Sequence, residues 1–203
     1  MEHFISDIAF TPTVKAEQKR HGSRDGYQRM AEKNDWADTI TPDLKTFLGE
    51  RNSFYIATAT KDGQPYIQHR GGPKGFLKAI DDKTLAFADF SGNKQYLSTG
   101  NLQENNKAYI FLMDYANKRR IKIWGTARVV EDDEALIAQL SEPGYKARPE
   151  RVILFEITAW DVNCPQHIPQ KYDFVDVETA TAKLTARITE LEAEISRLKQ
   201  TGP

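Results

Sequence analysis

The sequence predicts a mainly β chain: an antiparallel barrel with peripheral helices, followed by a C-terminal helix carrying a heptad seam. Three observations carry that reading. Seven β-branched and aromatic runs fall between residues 52 and 161, most of them joined by tight polar turns. The helical stretches among them are too few for the crossovers of a doubly wound parallel sheet. Beyond them, Leu184, Ile188, Leu191, Ile195 and Leu198 recur at spacings of 4, 3, 4 and 3, which is a heptad repeat.

Three zones separate along the chain. Residues 1–40 form a polar arm with a charged run from Lys15 to Arg29, broken by Gly22 and Gly26. One or two short helices are expected there, anchored by Phe4, Ile5, Ile8 and Phe10. Residues 41–172 hold the barrel and a closing loop. Thr41-Pro42-Asp43 reads as a helix start, with Thr41 as the cap and Pro42 in the first turn, and the helix runs to Gly49. Phe54–Thr60 turns through Lys61-Asp62-Gly63 into Tyr66–His69. Phe76–Ile80 and Thr84–Ala88 pair across Asp81-Asp82-Lys83, and Lys94–Glu104 suits a short helix. Ala108–Tyr115 turns through Asn117-Lys118 into Arg119–Val130, and the helix-like Asp132–Leu140 leads to a last strand, Val152–Trp160. Residues 173–203 carry the amphipathic helix. Its narrow apolar stripe needs a partner, either the barrel of its own chain or a second copy, and the spacing alone selects neither.

Composition narrows the function classes. Across 203 residues, 28 basic and 29 acidic side chains leave a formal net charge of -1, a poor footing for nonspecific nucleic-acid binding. Hydrophobic residues make up 39% of the chain and the mean hydropathy is -0.61, as expected of a globule with polar helical arms. Cys164 is the single cysteine, so no intramolecular disulfide forms, in keeping with a reducing compartment. The histidines, His3, His21, His69 and His167, are scattered without metal-ligand spacing. The N-terminus lacks the apolar core of a signal peptide, and no window reaches the roughly 18 apolar residues of a membrane span. A cytoplasmic protein with no membrane segment is the expectation.

The chemistry concentrates in His69–Lys94, HRGGPKGFLKAIDDKTLAFADFSGNK. Arg70, Lys74, Lys78 and Lys94 stand among Gly71, Gly72, Gly75 and Gly92. Converging cations suit a phosphate, and glycines let backbone approach a ligand closely. This reads as a site for a phosphate-bearing cofactor on a sheet. Asn93 sits where it could cap the following helix, a role compatible with phosphate binding at a helix N-terminus. Trp124 suits core packing better than stacking on a ligand. Cys164 and His167 lie three apart in CPQHIP without an orienting partner, so a pocket-sealing loop suits them better than nucleophilic catalysis.

With that hairpin placed in a barrel, the chain resembles the pyridoxamine 5′-phosphate oxidase-like, FMN-binding split-barrel family. The likeness rests on GGPKGFLK, TLAFADFSGNKQYLSTGNLQENNKAYIFLMDY and RRIKIWGTARVV, in that order, over roughly residues 45 to 161. The resemblance implies a split β-barrel, a homodimer, and FMN in clefts between subunits. Phe76, Leu77 and Lys78 match the family strand whose lysine reaches the flavin phosphate. Ala88 and Asp89 match the strand end beside the flavin, and Asn93 and Lys94 match the residues completing the phosphate pocket. Arg70 and Gly72 lie near another family arginine. Arg120 stands where a family glutamine reaches the flavin from the other subunit.

The vitamin-B6 oxidases end in an arginine- and histidine-bearing segment that grips their substrate's phosphate. This chain runs instead into CPQHIPQKY and the heptad helix, which points to an uncharacterised branch rather than to the vitamin-B6 oxidase itself. The implied activity is an FMN-dependent oxidoreductase acting on a small molecule, with no acid–base dyad required because the flavin carries the chemistry. The alternative is a non-catalytic module that holds flavin for storage, sensing or partner recruitment. Haem or a deazaflavin would be a further occupant of the same barrel.

Overall fold

A computed structural model describes residues 3–162 and 165–200. The chain divides into two compact units, one comprising residues up to Asp114 with Arg119–Pro165, the other Tyr115–Lys118 with Gln166–Pro203.

The first unit is built on seven antiparallel strands: β1 (Ser53–Ala59), β2 (Pro65–Gly71), β3 (Lys78–Ala79), β4 (Thr84–Phe90), β5 (Lys107–Asp114), β6 (Arg119–Val130) and β7 (Pro149–Val162). Their order across the sheet is β2-β1-β5-β6-β7-β4-β3. Alternation sets the inward face. In β5 the buried side chains are Ala108, Ile110, Leu112 and Asp114, every second residue. Phe54, Ile56, Leu85, Phe87, Ile110, Ile121, Ile123, Ile153 and Phe155 meet in one core. Because β2 and β4 share no ladder, the sheet is split where they approach. Phe54 stacks on Phe76 at 5.3 Å between ring centroids, and both meet Phe87 edge-on. Side chains close the barrel there, not hydrogen bonds between strands.

Helix α3 (Pro42–Gly49) adds Leu44, Phe47 and Leu48 to the core, its first turn capped by the Thr41 hydroxyl as its sequence requires. Helix α4 (Leu97–Glu104) lies between β4 and β5 in the chain, and α5 (Glu134–Leu140) packs Leu140 with Ala86, Ala88, Val152 and Leu154. The N-terminal arm contains a 3₁₀ turn at Ile5–Ile8, then α1 (Pro12–Arg20) and α2 (Arg24–Asn34). An aromatic chain ties it to the sheet: Phe10 meets Tyr27 and Trp36, and Trp36 stacks on Trp124 at 4.8 Å. Trp124 is thus a packing residue, with the Lys122 ammonium 5.0 and 5.2 Å from the two indole rings.

Two elements differ from their sequence-based limits. The expected strand Phe76–Ile80 shrinks to Lys78–Ala79, because a turn with Gly75 at φ +77° drives Phe76 and Leu77 into the core. The helix expected from Lys94 starts at Leu97, since Lys94 and Tyr96 both take left-handed backbone conformations. In the second unit, α6 spans Phe174–Gln200 and buries none of its residues. Among the described residues no helix is long and apolar enough to cross a membrane.

β6 and β7 shift register at Trp124 and Gly125, a bulge that leaves Thr158 unpaired between Ile157 and Ala159. A Cβ at Gly125 would stand 2.0 Å from the Glu156 carbonyl oxygen and 2.6 Å from the Phe155 ring. Gly125→Ala is therefore expected to cost about 1–3 kcal/mol, or more if the bulge cannot relax. An unchanged denaturant midpoint would show that the bulge has slack.

Candidate functional site

The split between β2 and β4 opens onto a cavity of about 290 Å³. Strand β2 contributes Tyr66, Gln68 and Arg70, three alternate residues that share one face. The end of β4 contributes Asp89 and Phe90. The loop after it supplies Gly92, Asn93, Lys94, Gln95 and Tyr96, and the first turn of α4 supplies Ser98 and Thr99. A smaller space of about 170 Å³, lined by Arg70, Phe76, Ala88 and Asp89 among others, adjoins the same residues.

Charge dominates this cavity. Arg70 donates to the Asp89 carboxylate across the split. Arg151, on β7, approaches the second Asp89 oxygen at 3.8 Å and pairs with Glu131 at 2.9 Å and Glu150 at 3.1 Å. The Nε atoms of Arg70 and Arg151 are buried without a hydrogen-bond partner. Burial pushes the Asp89 carboxyl above its ordinary value, and the two arginines only partly offset that. At the rim, a hydrogen bond from Ser91, reinforced by Arg151 and Lys94, holds the Glu150 carboxyl below its ordinary range.

Backbone groups add to these cations. The N-cap of α4, Tyr96, has φ 54° and makes no side-chain capping hydrogen bond. The first turn, whose amides have no intrahelical acceptor and which carries the positive end of the helix dipole, places Ser98 and Thr99 on the cavity lining. Ser98 donates to Gln68 at 2.7 Å, joining α4 to β2. Lys94 is likewise left-handed at φ 59°, and strained non-glycine backbone of this kind gathers at ligand sites. Guanidinium, ammonium and amide donors on one concavity fit a phosphate.

Of the residues singled out from sequence, Arg70, Asp89, Asn93 and Lys94 line the main cavity, while Phe76 and Ala88 border the smaller one. Gly72 serves packing, since a Cβ there would stand 2.7 Å from the Phe76 ring. Leu77 is buried in the core. Lys78 stands on β3, where its ammonium pairs with Glu142, and it is not among the residues lining the main cavity. Arg120, paired in register with Met113, lies on the outer face of the sheet with its Nε buried and unpartnered. Tyr66, Gln68, Ser98 and Thr99 escaped the sequence reading. Period-two alternation from Arg70 would have found the first two. In CPQHIP, Cys164 falls outside the described residues, and His167 is exposed at a left-handed turn.

The sequence profile of the pyridoxamine 5′-phosphate oxidase family matches residues 40–164. The chain therefore belongs to the pyridoxamine 5′-phosphate oxidase-like split-barrel family. Among solved structures, HupZ from Group A Streptococcus superposes with a TM-score of 0.51 at 18% identity, covering 66% of this chain and 99% of its own. An FMN-binding protein from Syntrophomonas wolfei gives a TM-score of 0.50 at 14% identity, covering 72% and 97%. No curated protein matches the sequence.

The raised Asp89 pKa has a defined sign. The folded chain holds that proton more tightly than the unfolded chain, whose carboxyl titrates near 3.8. This group's contribution is full below pH 3.8 and is lost as pH rises through the higher folded value. Wild type is expected to lose stability relative to Asp89→Asn across that interval, measured by urea unfolding at stepped pH. A difference independent of pH would mean that Arg70 and Arg151 compensate the burial in full.

Proposed function

We propose that this protein is an FMN-dependent oxidoreductase whose flavin phosphate is held between β2, the β4–α4 loop and the first turn of α4. One observation carries the reading: Arg70, Lys94 and the uncapped start of α4 border a single cavity. The family supports it, as does the FMN-binding description of the Syntrophomonas protein with the same fold. Bound FMN would supply the hydride chemistry. The chain's part is to hold the phosphate and set the local charge. Asn93 and Lys94 approach from the loop, and Arg70 from β2 with Asp89 orienting its guanidinium. Lys78 belongs to the same charged surround, with its ammonium engaged by Glu142.

The same reading includes a homodimer with the cofactor at the subunit interface. A cavity of about 290 Å³ is at the lower limit of small-ligand sites, which run from roughly 300 to 1,000 Å³, so a second surface is needed to enclose a flavin. The outer face of β2, β1 and β5 offers one. Tyr55 and Ile67 are 38% and 62% exposed there, and Tyr55 lies opposite Phe111 in register. Arg120 shares the outer face, which suits a residue that reaches the partner's flavin.

Titrating the purified protein with FMN is expected to give saturable binding with a shifted visible spectrum. Lys94→Ala should weaken it about ten- to hundredfold, the worth of one charge-assisted hydrogen bond, and Lys78→Ala should weaken it less. Lack of FMN uptake would defeat the proposal. Bound FMN that NADH and NADPH leave oxidised, with no turnover on a donor panel, would favour the storage or sensing module.

A further inference from the structure

Helix α6 is 27 residues long, a rod of about 40 Å. A helix with no buried residue is not held by propensity alone, because helical stability in proteins comes mainly from packing an apolar face. Its apolar face is intact and open: Leu184, Ile188, Leu191 and Ile195 are 66%, 56%, 41% and 50% exposed. We infer that α6 pairs with α6 of a second copy as a parallel, in-register, two-stranded coiled coil.

The layers and the flanking charges each select this occupant. Spacings of three and four fix the heptad phase, placing Phe174, Thr181, Ile188 and Ile195 at the a positions. Val177, Leu184, Leu191 and Leu198 then occupy d. Over the C-terminal half every a residue is isoleucine and every d residue leucine, the combination that favours two parallel strands. In that arrangement each g residue faces the e residue five positions on in its partner. Arg187 at g then meets Glu192 at e, and Glu194 at g meets Lys199 at e. Both pairs are attractive, and two-fold symmetry repeats each of them. The remaining pair, Ala180 with Thr185, is uncharged. Within the single helix the prominent ion pairs are local, Arg187 with Glu190 at 2.9 Å and Arg197 with Glu194 at 3.8 Å, and Glu192 has no basic residue at the third or fourth position on either side. An antiparallel pair would set g against g and e against e, so Glu192 would not meet Arg187.

The test reads α6 directly in the full-length protein and does not depend on flavin. In a Cys164→Ser background, Leu198→Cys is oxidised and the covalent dimer is followed on non-reducing gels, with far-UV circular dichroism checking the fold. Ala193→Cys, at the outward f position, sets the background. Leu198→Cys is expected to crosslink well above that control. Adding Glu192→Arg should slow the crosslink about fivefold by setting like charges together. Arg187→Glu combined with Glu192→Arg should restore it. Crosslinking no greater than for Ala193→Cys, or a double variant no better than Glu192→Arg alone, would overturn the pairing. Because FMN titration reports on the barrel and this assay on the helix, each proposal fails separately.

Discussion

The unpaired seam between β2 and β4 is the constraint on which the first unit depends. Seven strands in the order β2-β1-β5-β6-β7-β4-β3 curl until the ends approach, yet no ladder joins them. Strand edges left open attract other chains or water. Here the inner part of the gap is filled by Phe54, Phe76 and Phe87, and the outer part is bridged by Arg70 and Asp89. The seam is both the line where β2 and β4 share no ladder and the place where polar side chains from distant strands converge. Fold and site share one geometric cause.

That sharing sets the electrostatics. Burying a charge is costly unless its partners compensate, and losing one member of a buried pair costs about 3–5 kcal/mol. Asp89 is 8% exposed between two arginines, and burial still raises its pKa. The buried Nε atoms of Arg70 and Arg151 make no hydrogen bond. Both guanidinium groups are nonetheless held by carboxylates, Arg70 by Asp89 and Arg151 by Glu131 and Glu150, so the charge beside the seam is set by ion pairs within the first unit.

Most of the fold was legible because its signals are local. Thr41 and Pro42 announce α3, and the Asp81 turn forms as read, its carboxylate accepting from the amides of Lys83 and Thr84. The run Arg119–Val130 coincides with β6. Failures fell where tertiary packing overrides pattern. Phe76 and Leu77 look like strand residues, but the core claims them through the turn at Gly75. Glu142, distant in sequence, engages the ammonium of Lys78, a pairing that no local pattern announces. Arg70 was singled out, whereas its neighbours on the same face, Tyr66 and Gln68, carry no charge to mark them. The uncapped start of α4 was hidden too, because Asn93 resembles a cap and the left-handed turn at Lys94 and Tyr96 moves the helix past it.

The heptad seam illustrates a different limit. Spacing reveals an apolar stripe but not its occupant, because a barrel surface and a second helix both bury leucines. What distinguishes them is the order of residue types within the stripe and the charges beside it. A fold-back onto the chain's own barrel places no requirement on how residues 187 and 192, or 194 and 199, are matched in sign. A parallel pair favours opposite signs at both. The proposed pairing would also bear on the barrel. Joining two chains through α6 would turn any contact between their outer sheet faces into an intramolecular event at an effective concentration in the millimolar range. Under that condition the modest apolar patch around Tyr55 and Ile67 does not need to dimerise the barrels unaided. A shallow cavity could then be completed by a second copy without a large, dedicated interface on the sheet itself.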